Sequence, residues 1–352
     1  MRIKIIAAIA LALLLCPLSA HASFVAAGLD FTKGVGVVLV ESAPGELRAL
    51  ELPPLHGKWY ITGAASQPRG GGVLLLGADR GTGQGLLLRL DGDKITPLKL
   101  PRLEGNWMLT AGTFVGADRA LLVGYDQARG LPIALAGQAA QWSFESFPAT
   151  MGRIELLDVD GTHELAFAAG VNRSTNKGAL FVRQSGTWSE LNVAQRIEES
   201  FRFEGLAVFG GEALIVGSAG QVERGLIVRV KYDGQSGLSF KPELLPEVSR
   251  SWTLYDVWAA DDGSTAVAVG SDLSNRRGIL LEYSAGKWSS AIIDDNVELI
   301  AVVMAPGNRL LAVGQDQVRK QGVAYLREGR SWRRLDLPEV SFNWLLTGAI
   351  NR

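Results

Sequence analysis

Seven times along the chain an apolar run halts at a glycine. The copies are VAAGLD, LLLGAD, LLVGYD, FAAGVN, LIVGSA, VAVGSD and LAVGQD, with Gly28, Gly77, Gly124, Gly170, Gly217, Gly270 and Gly314 as their fixed points. Eight residues after each of these a second apolar run opens, at Gly36, Gly85, Pro132, Gly178, Gly225, Gly278 and Gly322. The loop between the runs keeps its length while its letters drift, as one structural unit copied seven times would. Successive repeat glycines are 49, 47, 46, 47, 53 and 44 residues apart. A period of roughly 45 residues in β-like sequence describes a unit that buries its apolar faces only by stacking against its neighbours.

Within each unit the pattern changes from strand to strand. The second and third runs, such as GGVLLLG with GLLLRL or AVAVG with GILLEY, are almost continuously apolar, as strands covered on both faces must be. The last run alternates, as in WSELNV, SWRRLDL and ELRALEL, which suits an outer edge partly in water. Gly45, Gly92, Gly186, Gly237, Gly286 and Gly329 stand where tight turns join these two runs. Proline follows an apolar residue at Pro53, Pro101, Pro148, Pro246 and Pro338, ending the ladder and starting a crossing to the next unit. Together these features predict an all-β chain folded as a seven-bladed β-propeller. Joined end to end, the stretch from Gly314 through Arg352 and from Ser23 to Gly28 spans a further 44 residues, so the ring closes. Trp344 to Ile350 then supplies the innermost strand of a shared blade whose other three strands come from residues 24 to 53, which leaves no open sheet edge.

Residues 1–22 read as a secretory signal: Arg2 and Lys4, an apolar stretch from Ile5 to Leu15, and Ala20-His21-Ala22 as a cleavage site. The apolar stretch is too short to span a bilayer. Residues 23–352 are then one propeller domain, expected in the periplasm or outside the cell, with no direct membrane span and acting as a monomer. Without the leader the chain has no cysteine, so its core alone must hold it together. Removing Arg2 and Lys4 from 35 basic residues leaves 33 against 36 acidic ones, a net of −3, and no global field points to nucleic acid.

The apolar run, glycine, hairpin and Trp after a glycine turn resemble the kelch and WD-repeat class of β-propellers, and more closely the loosely defined repeats of secreted bacterial propellers. A single glycine replaces the kelch glycine pair, and no Trp-Asp dipeptide ends a strand. The resemblance implies architecture and no particular activity, because this fold hosts binding proteins, scaffolds and unrelated enzymes.

Three sets of residues are candidates for function. Asp30, Asp79, Asp126, Asn172, Asp272 and Asp316 recur in the hairpins, where such side chains accept backbone N–H groups. Every hairpin also carries a basic residue, among them Arg80, Arg129, Arg276 and Arg319, which form either a cationic rim for an anionic partner or pairs with the neighbouring Asp residues. Trp59, Trp107, Trp252 and Trp344, with Phe203 in a similar place, open the innermost strands and either line the channel mouth or wedge adjacent blades apart.

Catalytic signals are thin: only His56 and His163 follow the leader, no metal-binding motif is present, and no cofactor is implied. The expected function is an exported, non-catalytic binding or assembly module recognising a protein or glycan partner in the cell envelope through the end bearing Arg80, Arg129, Arg276, Arg319, Trp59, Trp107, Trp252 and Trp344. The alternative is a propeller hydrolase or lyase acting on a polysaccharide or small lactone at the channel mouth, with a carboxylate pair such as Asp256 and Glu298.

Overall fold

A computed structural model describes residues 23–139, 141–149, 152–233, 237–305 and 307–352; the leader expected at 1–22 lies outside the described residues. Seven antiparallel sheets of four strands form the blades of the propeller. Their innermost strands are, in ring order, Trp344–Asn351, Trp59–Ser66, Trp107–Phe114, Ile154–Gly161, Phe201–Phe209, Trp252–Ala259 and Val297–Ala305, and we number the blades 1 to 7 in that order. Among the described residues, helix is confined to one 3₁₀ turn, Pro68–Gly70. No helix among them is long and apolar enough to cross a membrane.

Blade 1 is composite, as the repeat spacing predicts. Trp344–Asn351 pairs antiparallel with Phe24–Asp30, from Asp30 opposite Trp344 to Phe24 opposite Asn351. The N–H of Arg352 extends the ladder to the carbonyl of Ser23 at 2.8 Å. The closure is locked sideways too, since Arg309 of blade 7 forms an ion pair with Glu41 of blade 1.

The repeat glycine has a specific cause. All seven innermost strands carry a bulge opposite it, as between Ile61 and Gly63, between Leu254 and Asp256 or, in blade 1, between Leu346 and Gly348. The bulge pushes an inner-strand carbonyl against the second strand. A Cβ on Gly77 would lie 1.8 Å from the Tyr60 oxygen, and at the six other repeat glycines a carbonyl comes within 1.8 to 2.0 Å in the same way. No side chain fits there.

The second glycine set answers to the wedge between blades. A Cβ on Gly36, Gly85, Gly178, Gly225 or Gly322 would fall within 2.0 to 2.6 Å of a ring atom of Trp59, Trp107, Phe201, Trp252 or Trp344 respectively, each opening the next innermost strand. Where that wedge residue is only Val297 the constraint relaxes, and a Cβ on Gly278 would stand 3.2 Å from the nearest Val297 methyl, tight but not overlapping. Indole and phenyl rings thus lie flat on bare backbone, filling the narrow gap near the axis at interior packing density.

Farther out, blades 3 and 4 share a buried ion pair. Arg183, 1 % exposed, holds Glu145 through two hydrogen bonds of 2.8 and 2.7 Å, and Trp188 donates its Nε1–H to the same carboxylate at 2.9 Å.

Candidate functional site

The end of the ring bearing the second-to-third-strand hairpins also bears the crossings between blades. Its geometry starts with the recurrent Asp. Asp79 accepts the N–H groups of Gly81 and Thr82, Asp126 those of Ala128 and Arg129, Asn172 those of Ser174 and Thr175, and Asp316 those of Val318 and Arg319. Asp30 and Asp272 likewise cap Lys33 and Asn275. These side-chain oxygens hold turns together. Burial works to raise the Asp272 pKa, but hydrogen bonds from Asn275, Arg277 and Ser249 outweigh it and bring it down to about 2.

Each hairpin is pinned twice more by backbone. Its first residue donates to the start of its own inner strand, as Leu273 does to the Ser251 carbonyl at 2.9 Å. Its far end accepts from the next inner strand, as Lys320 does from Trp344 at 2.9 Å and Gly34 from Trp59 at 2.9 Å. Hairpins tied at three points stand in fixed positions, so binding on them needs little ordering.

Arg80, Arg129, Arg276 and Arg319 are all exposed on these hairpins. Arg129 lies 3.8 Å from Asp126 and 3.9 Å from Glu104, while Arg80 stacks over the Tyr60 ring with its guanidinium carbon 5.0 Å from the centroid. Among the described residues, Arg80, Arg276 and Arg319 have no carboxylate within ion-pair distance. Arg173, by contrast, is held by Glu155 at 2.7 Å and Arg202 by Glu223 at 2.8 Å. The rim therefore contains free cations and neutralised ones side by side.

The tryptophans expected beside them lie elsewhere. Trp59, Trp107, Trp252 and Trp344 are only 2 to 4 % exposed and are the wedges described above, so they offer no surface to a partner. Phe201, not Phe203, occupies the equivalent position opposite Ala219; Phe203 sits two residues farther along the strand, fully buried.

The central channel encloses a cavity of about 450 Å³, bordered by Thr62, Thr110, Asp158, Asp160, Glu204, Tyr255 and Asp256 among others. Many of these polar groups fasten one blade to the next. The Thr62 hydroxyl donates to the Leu109 carbonyl at 2.7 Å, Thr110 to Leu156 at 2.9 Å and Thr347 to Ile61 at 3.2 Å. In two blades an aspartate one position farther on takes over: Asp158 accepts the Leu206 N–H at 2.7 Å and Asp256 the Val302 N–H at 2.8 Å, each with its other oxygen on the following residue's N–H. Asp160 spans three blades, accepting from Val208 at 2.9 Å and from the Thr113 hydroxyl at 3.0 Å. Both oxygens of each aspartate are thus already hydrogen-bonded, at least one of them across a blade boundary. Among the described residues no group of three His, Cys, Asp or Glu side chains could hold a metal ion.

Burial strips these carboxylates of water and raises their pKa values. Asp256 is pushed up to about 7, with its backbone hydrogen bonds opposing the shift. Asp158 is raised well above the ordinary range by burial and then by the charge of Asp256. Burial, followed by the Glu298 carboxylate, likewise raises the Tyr255 hydroxyl. A raised folded-state pKa means the folded ring retains protons that the unfolded chain has released between about pH 4 and 7. Stability must therefore fall as pH climbs through that window and level off above it. Chemical denaturation at pH 5 and pH 8 should show this slope in the native protein, and Asp256→Asn, which cannot ionise, should flatten it; an equal slope in both would contradict the assignment.

Asp158, Asp160 and Glu204 had no distinguishing mark in the repeat pattern. One signal was available: Asp158 and Asp256 each stand four residues after the wedge position, at Ile154 and Trp252, and both precede Val.

Comparison with known proteins gives fold and little more. No family model matches the chain, and no curated protein matches it. Among solved structures, one described as YCF48 bound to D1 peptide superposes with a TM-score of 0.53 at 14% identity, covering 88% of this chain and 98% of that one. The extracellular domain of BT4673 from B. thetaiotaomicron superposes with a TM-score of 0.50 at 11% identity, covering 90% of this chain and 34% of that one. At such identities the likeness is one of fold, and it establishes this chain as a seven-bladed β-propeller that shares its architecture with proteins solved as a peptide complex and as an extracellular domain.

Proposed function

We propose that this chain is an exported binding or assembly module that recognises a protein partner through the hairpin end of the ring. One observation carries the reading: seven hairpins, each tied down by backbone bonds to two inner strands, present Arg80, Arg276 and Arg319 on a single end with no carboxylate partner among the described residues. Unpaired guanidinium groups on a preorganised frame suit planar, bidentate recognition of carboxylates. A protein segment is favoured over a glycan because a structure of the same fold was solved with a peptide bound. The leader pattern at residues 1–22, together with the extracellular setting of the second structural neighbour, supports export. Turnover in the channel is the weaker reading, since Asp158, Asp160 and Asp256 are already committed to blade-to-blade hydrogen bonds.

Replacing Arg80, Arg129, Arg276 and Arg319 together with Ser should leave the thermal midpoint within about 3 °C of the native value, as exposed substitutions do. Capture of a partner from native envelope extract should be lost. Undiminished capture by the correctly folded quadruple variant would remove the hairpin end as the interface.

A further inference from the structure

The hairpin end is not uniform around the ring. Among the described residues nine large apolar side chains stand exposed, and seven of them lie at or beside this end. Six of the seven belong to one contiguous arc. Val222, Leu273, Val318 and Phe31 sit in the hairpins of blades 5, 6, 7 and 1, while Leu244 and Phe342 sit in the crossings from blade 5 to 6 and from 7 to 1. Phe342 is 84% exposed, Val318 68% and Phe31 52%, far beyond what a side chain at the edge of a core shows. The Phe31 N–H donates to Asn343 at 2.8 Å and the Asn343 N–H to the Thr32 hydroxyl at 3.0 Å, which holds the two phenylalanines on adjoining loops. The hairpins of blades 2, 3 and 4 read RGTG, QARG and RSTN and present no large apolar group.

Cations are interleaved with this apolar arc. Arg224, Arg276 and Arg319 follow Val222, Leu273 and Val318 within three residues, and among the described residues none of the three has a carboxylate partner. Two hairpins of the arc also keep a basic residue in a conformation that disfavours it. Arg276 and Lys320 have φ of 55° and 56°, at the turn position that Gly34, Gly83 and Gly130 fill elsewhere. A side chain retained there, where glycine would be less strained, points to use of the side chain.

We propose that the arc from blade 5 to blade 1 is the seat of the partner, and that the partner is an acidic protein segment presenting apolar side chains. The inference rests on the hairpin-end reading and narrows it to four of the seven blades. Carboxylates of the segment would meet Arg224, Arg276 and Arg319, while its apolar groups cover Val222, Leu273, Val318, Phe31 and Phe342, the pairing of apolar anchors with Arg that carries protein–protein interfaces. An anionic bilayer fits less well, because exposed Glu199 and Glu339 stand on crossings at the same end and would repel a continuous negative plane.

The test uses random 12-residue peptides selected on the immobilised chain, with the enriched peptides then synthesised and measured by fluorescence polarisation. Enriched sequences should place Asp or Glu within three residues of an aromatic or aliphatic side chain. Their affinity should fall at least tenfold for the triple variant Leu273→Ser, Val318→Ser, Phe342→Ser and for the pair Arg276→Ser, Arg319→Ser, and less than twofold for the pair Arg80→Ser, Arg129→Ser. Enrichment of basic sequences, or loss confined to the Arg80 and Arg129 pair, would overturn the seat while leaving the hairpin end standing. Peptides insensitive to every variant would overturn both. Cosedimentation with phosphatidylglycerol vesicles that the triple variant abolishes would replace the peptide partner with a membrane surface. Thermal midpoints within a few degrees of native show that each variant is folded.

Discussion

A chain ending at Asn343 should lose more than about 5 kcal/mol of stability and be largely unfolded or loosely structured at 25 °C. The deletion removes Trp344 and Leu346, 2% and 0% exposed, each contributing roughly 1.5–3 kcal/mol by burial. It also strips Phe24–Asp30 of its inner ladder, leaving unpaired N–H and C=O groups beside the channel. Against a total stability of about 5–15 kcal/mol that loss is decisive. Urea unfolding followed by far-UV circular dichroism and Trp fluorescence would read it. A synthetic peptide of residues 344–352 added in trans should restore part of the transition, because its register on Phe24–Asp30 is set by the neighbouring blades. A truncated chain with an unfolding midpoint near native would refute closure by this strand as the source of the ring's integrity.

Gly270→Ala should be nearly as damaging, at about 4 kcal/mol or more, a size that single substitutions reach only through a specific mechanism. The added Cβ would fall 1.9 Å from the Thr253 oxygen and 2.8 Å from the Leu254 Cα, and both are backbone atoms with nowhere to go. Relief would require dissolving the bulge between Leu254 and Asp256, which in turn would misplace Asp256 from the Val302 N–H. Ala at Gly286 offers a contrast. Nothing lies within 4 Å of a Cβ there, so its φ of 81° is the obstacle, and only about 1–2 kcal/mol should be lost. Denaturation curves of the two variants compared with native separate the mechanisms: equal losses would mean that the repeat glycines serve turn conformation, not close approach.

How much of this was written in the linear chain can be traced residue by residue. The period of the glycines, the constant loop and the residual 44-residue wrap told of seven units and a shared blade, because copied backbone geometry demands copied spacing. The Asp residues after those glycines announced their hairpins, since a side chain that accepts N–H groups two and three residues on acts locally. The tryptophans were another matter. A strand with a blade on either side buries both of its alternating sets, so alternation does not say whether Trp107 looks toward the channel or sideways onto Gly85; the ring's place, 2.3 Å from where a Cβ on that glycine would stand, decides it. Nor did the letters separate Arg173, neutralised by Glu155 from the adjacent inner strand, from Arg319, which has no such neighbour. The residues in each case are the same type in the same kind of loop.

By itself, then, the sequence determined the number of blades, the point of closure and the end on which hairpins and crossings gather, all consequences of short-range backbone requirements repeated at a regular interval. Only the tertiary structure decided which polar groups remain available. Asp158 and Asp256 are consumed as fasteners between blades, while Arg276, Arg319 and Phe342 are left facing solvent. The physical reason is that availability depends on partners on the neighbouring blade, 46 to 48 residues away, whose distance no local pattern encodes.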